Sequence, residues 1–125
     1  MLPEKKQVLI VDDEPNLRKI LAAQLSRDGY DVMTAEDGAE GLTLLRENHI
    51  DLVVTDLKMP KVDGMELLRE ARREAPDLPV ILMTASTSAA EQVLSQSNVD
   101  YLPKPFELTQ LLDLVARYLP PPGAL

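Results

Sequence analysis

The stretch Val8-Leu9-Ile10-Val11-Asp12-Asp13-Glu14 sets an unbroken apolar run against three consecutive acids. A run over residues 7–11 without polar alternation marks a strand buried on both faces, as in a parallel sheet covered by helices. The acids stand where such a strand leaves the core. The arrangement recurs: Leu52-Val53-Val54-Thr55 leads to Asp56, Val80-Ile81-Leu82-Met83 to Thr84, and Val99-Asp100-Tyr101-Leu102 to Lys104-Pro105. In an open parallel sheet, ligands bind outside the carboxyl ends of the strands. The carboxylates of Asp12, Asp13 and Asp56, the Thr84 hydroxyl and the Lys104 ammonium would gather there. That set describes a divalent-cation site beside a nucleophilic aspartate.

Between these runs the period becomes helical. Leu17, Ile20, Leu21 and Leu25 recur at helical spacing, giving one apolar face. Pro15 suits the first helical turn and Gly29 the C-terminal end. Residues 31–35 read as an edge-like second strand. Asp37 to Glu40, Asp63 to Glu66 and Ser88 to Glu91 are capping-box-like helix starts. They precede the stripes Leu42/Leu45, Met65/Leu68/Ala71 and Ala90/Val93/Leu94. The last helix carries Leu108, Leu111, Leu112, Val115 and Leu119. Strands at 7–11, 31–35, 51–55, 80–83 and 99–102, alternating with five helices, predict an α/β fold: a doubly wound, five-stranded parallel sheet with helices on both faces. Pro120-Pro121-Pro122-Gly123 cannot continue a helix and reads as a stiff spacer. The expected organisation is one domain over 1–119 and a Pro-rich tail or linker start over 120–125.

Composition limits the function. A formal charge of −8, with thirteen scattered basic residues, argues against direct nucleic-acid binding, which needs Lys and Arg to neutralise phosphates. The expected partner is a protein. No cysteine is present, so disulfides and thiolate metal sites are excluded. No apolar run approaches the roughly 20 residues of a membrane span. No long apolar stretch follows Met1-Leu2-Pro3-Glu4-Lys5-Lys6, so no secretory signal is expected and the cytoplasm is the expected compartment. His49, beside Asn48 at the end of a polar helix, reads as a surface residue.

Taken together, residues 8–14, Val54-Thr55-Asp56-Leu57-Lys58-Met59-Pro60 with Asp63-Gly64, Met83-Thr84-Ala85, and Asp100-Tyr101-Leu102-Pro103-Lys104-Pro105-Phe106 resemble the receiver domain of two-component response regulators. The resemblance spans almost the whole chain and implies the strand order 2-1-3-4-5. It implies that Asp56 accepts a phosphoryl group from a sensor histidine kinase, since a carboxylate can form such a covalent intermediate. Mg2+ (or Mn2+) would be held directly by Asp13, Asp56 and the Lys58 backbone carbonyl, and by Asp12 partly through water. Lys104 and Thr84 would take phosphate oxygens, Tyr101 would turn inward with Thr84, and Lys104-Pro105 is a cis-peptide candidate. Such a protein is no enzyme beyond assisting its own phosphorylation and dephosphorylation. Its output would pass through the fourth helix, fifth strand and fifth helix to a downstream effector domain, commonly a transcriptional one, or to a homodimer. A stand-alone phosphorelay receiver is the alternative.

The pattern departs from the family in places. Thr84 and Lys104 lie twenty positions apart, a short interval. Ser97-Asn98-Val99 stands where Gly-Ala is common, so the fourth helix is expected to be short or shifted. Lys58 and Ser86, each two residues past a site residue, are lifetime-tuning candidates. An aspartyl-phosphate hydrolase of the haloacid-dehalogenase type would want a second acid where Lys58 stands. A flavodoxin-like cofactor binder would want a Ser/Thr/Gly-rich loop where Asp12-Asp13-Glu14 stands, which has the wrong charge for a phosphate.

Overall fold

The computed structural model describes residues 5–59, 61–85, 88, 91 and 96–120. The chain runs β1 (Gln7–Val11), α1 (Pro15–Arg27), β2 (Asp31–Ala35), α2 (Gly38–Glu47), β3 (Leu52–Asp56), α3 (Gly64–Glu74), β4 (Val80–Thr84), β5 (Val99–Pro103) and α4 (Leu108–Tyr118). All strand pairs are parallel, in the order β2-β1-β3-β4-β5. The helix expected to open at Ser88, with Ala90, Val93 and Leu94, lies largely outside the described residues, as do Pro60, Ser86 and residues 121–125. Among the described residues, no helix is long and apolar enough to cross a membrane.

The continuous apolar runs are explained by two cores, one on each face of the sheet. Val8, Ile10, Leu52, Val54, Ile81 and Met83 point to one face, against Leu21 and Leu25 of α1 and Leu111, Leu114 and Val115 of α4. Leu9, Val11, Val53, Val80 and Leu82 point to the other, against Leu42 and Leu45 of α2 and Leu67, Leu68 and Ala71 of α3. Side chains alternate across a strand, so a strand covered on both sides is apolar at every position. Fully burying each of the Val, Leu, Ile and Met side chains contributes roughly 1.5–3 kcal/mol. The edge strand β2 is exposed or half-buried except at Ala35.

The helix starts follow the sequence. Asp37 and Asp63 cap α2 and α3 by accepting from the Glu40 and Glu66 amides at 2.8 and 2.9 Å, and Pro15 opens α1. Gly29, at φ 100°, ends α1 in the left-handed region that glycine tolerates. Ile20 departs from the expected face: it is 55% exposed. At 3.6 residues per turn it lies roughly 100° around the helix from Leu21, and the buried face turns the other way, toward Arg18 and Ala22. In α4 the buried set is Leu111, Leu114 and Val115; Leu114, which the expected stripe omits, is buried, and Leu112 is half-buried.

At the approach to β5, Asn98 adopts φ 59°, a left-handed conformation that Asn visits more readily than most residues. Arg72 of α3 clamps this approach, donating to Leu78 O, to Ser97 O at 2.9 Å and to Asn98 O at 3.1 Å. His49 is exposed, as expected, but it has a partner, Asp51 Oδ1 at 2.8 Å.

Candidate functional site

The register builds the site. Val11 pairs with Thr55 between β1 and β3, so the next residues, Asp12 and Asp56, leave the sheet side by side. Asp56 pairs with Met83, and Thr84 with Pro103, which brings Thr84 and Lys104 to the same rim. The rim is stitched by Leu57 N–H to Met83 O at 3.1 Å and Lys104 N–H to Thr84 O at 3.0 Å.

The β1–α1 turn holds Asp12 fully buried. Its Oδ1 accepts from the Glu14 amide at 2.8 Å. Its own amide donates to Ala35 O at 3.2 Å, and its carbonyl accepts from Arg18 Nη1 at 2.7 Å. Asp13 is exposed and Asp56 half-buried, and one carboxylate oxygen from each of Asp12, Asp13 and Asp56 lies within 4.8 Å of the others.

Asp56 is fixed from its own strand end: Oδ1 accepts from the Leu57 amide at 2.8 Å, and the Thr55 hydroxyl donates to the Asp56 carbonyl at 2.8 Å. Gly64 lets the following loop close here. A Cβ on it would stand 2.5 Å from Asp56 O and 2.8 Å from Leu57 Cα, and the Gly64 amide instead donates to Leu57 O at 2.7 Å.

Opposite the acids, the Lys104 ammonium donates to Asp56 Oδ2 at 3.1 Å and to Asp12 Oδ2 at 3.5 Å. Thr84 is buried, and its carbonyl accepts from the Tyr101 hydroxyl at 3.3 Å. The Lys104–Pro105 peptide is cis. Asp56, Lys58, Thr84, Ala85 and Lys104 line an open cleft of about 290 Å³. A larger, more apolar hollow beside it is lined by Glu14, Leu17, Ala85, Lys104, Pro105 and Phe106.

Three carboxylates face one ammonium. Two like charges about 4 Å apart repel by roughly 4 kcal/mol at an effective dielectric near 20. Burial pushes the Asp12 carboxyl up despite the Glu14 amide and the Lys104 charge, which favour ionisation. For Lys104, burial acts downward, but the hydrogen bond to Asp56 and the charges of Asp12 and Asp56 outweigh it, and its ammonium is held above the usual range. One lysine leaves the cluster short of positive charge. All-oxygen donors at this spacing fit a small hard cation such as Mg2+, which accepts carboxylates and keeps several waters.

Asp12, Asp13, Asp56, Thr84 and Lys104 are thus brought to one rim, with Lys58 lining the same cleft and the Tyr101 hydroxyl on the Thr84 carbonyl. Arg18 joins the site without a signal in the sequence. Six residues past Asp12, within a helix, it carries no periodic signal and reads as an ordinary surface cation, yet its side chain is only 14% exposed.

The receiver-domain profile of response regulators matches residues 8–116. The response regulator MprA of Mycobacterium sp. (strain KMS) is 44% identical over 108 residues, which are 85% of this chain and 47% of that protein. The transcriptional regulatory protein GlrR of Escherichia coli (strain K12) is 41% identical over 110 residues, 86% of this chain and 25% of that one. The chain therefore spans about half the length, or less, of these curated relatives. Among solved structures, chemotaxis protein CheY4 of Vibrio cholerae superposes with a TM-score of 0.84 at 28% identity, covering 93% of this chain and 100% of that one. Response regulator TrrA of Thermotoga maritima, solved in complex with Mg(2+)-BeF, gives 0.82 at 36% identity, covering 91% and 99%. The profile, the relatives and the strand order agree, and the chain belongs to the response regulator receiver domain family of two-component signalling.

Proposed function

We propose that this chain is a Mg2+-dependent phosphoacceptor that takes a phosphoryl group onto Asp56 from a sensor histidine kinase. The observation that carries the reading is the acid cluster within 4.8 Å at the mouth of β1 and β3, with Lys104 3.1 Å from Asp56. Asp13, Asp56 and the Lys58 carbonyl would hold the cation directly, and Asp12 partly through water. When bound, the cation neutralises charge on the transferring group.

Leu57 N–H fixes Asp56 Oδ1, which orients the carboxylate toward the cleft. An Asp56 oxygen attacks phosphorus as the P–N bond to the donor imidazole breaks, and that imidazole takes up a proton. Lys104, released from the carboxylate pair, follows the new charge to a phosphate oxygen as a compact cation. The Thr84 hydroxyl donates to another. Tyr101, already joined to Thr84 through its carbonyl, senses any shift of that strand end. The output is a population shift between two arrangements of the face around β5 and α4.

Residues 1–119 form the receiver on this reading, and 120–125 begin a linker. The names of the relatives, response and transcriptional regulators, support a downstream effector domain as the receiver of the signal.

The test is incubation with Mg2+ and a small phosphodonor, followed by intact mass. One added phosphoryl group is expected, absent in Asp56→Asn and in EDTA. Uptake by Asp56→Asn would overturn the assignment.

A further inference from the structure

We propose that Arg18 is a positioning residue for the cation site, holding the Asp12–Asp13 peptide so that both carboxylates face the rim. The inference rests on the reading that the acids bind a divalent ion. Arg18 Nη1 donates to the Asp12 carbonyl at 2.7 Å, and the side chain is 14% exposed, so this bond is shielded from water. The Asp12 amide is tied to Ala35 O on the opposite side. The turn is therefore pinned at both polar groups of one residue.

A peptide unit is planar. Fixing the Asp12 carbonyl fixes the plane that it shares with the Asp13 amide, and so the direction in which the Asp13 Cα leaves. Asp13 is exposed, and its direction is set by the backbone that carries it. The outer nitrogen of Arg18 reaches Glu36 at 3.9 Å, and Glu36 is 74% exposed, so that contact contributes little. The short bond to the carbonyl is the contact that matters.

Geometry and charge predict opposite signs. As a bare cation near the acids, Arg18 opposes a divalent ion, and its removal would tighten binding. As a positioning residue it supports binding, and groups that orient metal ligands typically change affinity by about 10–100-fold. A planar guanidinium keeps its direction, whereas a lysine ammonium is a flexible point charge.

The experiment measures Mn2+ affinity of the metal-stripped full chain by electron paramagnetic resonance of the free ion, with circular dichroism confirming the fold. Arg18→Met is expected to weaken Mn2+ binding about tenfold, Arg18→Lys to recover only part, and Glu36→Gln to bind as the native chain does. Equal or tighter binding in Arg18→Met overturns the proposal. Should that variant fail to fold, Arg18→Lys decides: weaker than native supports the proposal, and equal to native overturns it. A native chain that takes up no Mn2+ removes the cation site itself and this inference with it.

Discussion

Replacing Lys104 by Met removes the ammonium that faces Asp56 and Asp12 while keeping most of the apolar stem. At 3.1 and 3.5 Å, each attraction is roughly 5 kcal/mol at an effective dielectric near 20. The side chain is 25% exposed, so desolvation and screening cancel much of this. The expected net loss lies between a surface pair and a buried one, about 2 kcal/mol without metal. Magnesium reverses the comparison. In the native chain Lys104 must yield before a cation settles among the acids, whereas in Lys104→Met the cluster is already unopposed. The variant should bind Mg2+ more tightly, by roughly tenfold. Metal in excess stabilises both chains, and tenfold tighter binding gives the variant about 1.4 kcal/mol more than the native chain, which closes most of the stability gap. Urea unfolding followed by circular dichroism, in EDTA and in MgCl2, reads this as a fall in midpoint, at constant slope, that metal narrows. A Lys104→Met chain as stable as native in EDTA, or a gap that MgCl2 leaves untouched, would refute the reasoning.

Lys58 is exposed beside the cleft, where it can shield a phosphorylated Asp56 from water; Lys58→Asn should shorten the half-life of the phosphoryl group, and an unchanged half-life removes the idea. Gly64→Ala would press a Cβ against Asp56 O and Leu57 Cα. It should cost about 1–3 kcal/mol in urea and weaken Mg2+ binding, because the displaced backbone carries Asp56. Tyr118 donates its hydroxyl to Asp100 Oδ2, and burial followed by that carboxylate pushes its pKa from 10.0 up to about 12. The fold favours the neutral phenol, so this contribution to stability is complete below pH 10 and lost as pH rises toward 12. Ultraviolet titration should show a late component that shrinks in Tyr118→Phe while that of Tyr30, which burial also raises, stays; a late component unchanged in Tyr118→Phe would contradict the contact.

The chemistry of the rim was legible because β1, β3 and β4 are largely apolar runs that lead to a polar residue. Burial on both faces forces that pattern, so the polar residue where it stops stands at the sheet's carboxyl rim. Asp12, Asp56 and Thr84 stand at such ends, whereas Lys104 follows β5, which is mostly half-buried. The helix starts were equally local, since Asp37 and Asp63 cap amides only three residues away. Ile20 misled for a related reason: a helical spacing names a face, but the sheet it packs on decides how wide that face is. Leu114 was passed over on the same ground.

Local periodicity and near-neighbour hydrogen bonds suffice for the class of fold, the residue types at the carboxyl rim and the starts of α1, α2 and α3. Only the tertiary structure decided that Lys104 bridges Asp12 and Asp56, partners 92 and 48 positions away, and that Arg72 grips the approach to β5. It alone turned Arg18 back onto the Asp12 carbonyl. These contacts depend on strand order, register and the direction of a long side chain, which are settled by hydrogen bonds and burial between segments far apart in the chain.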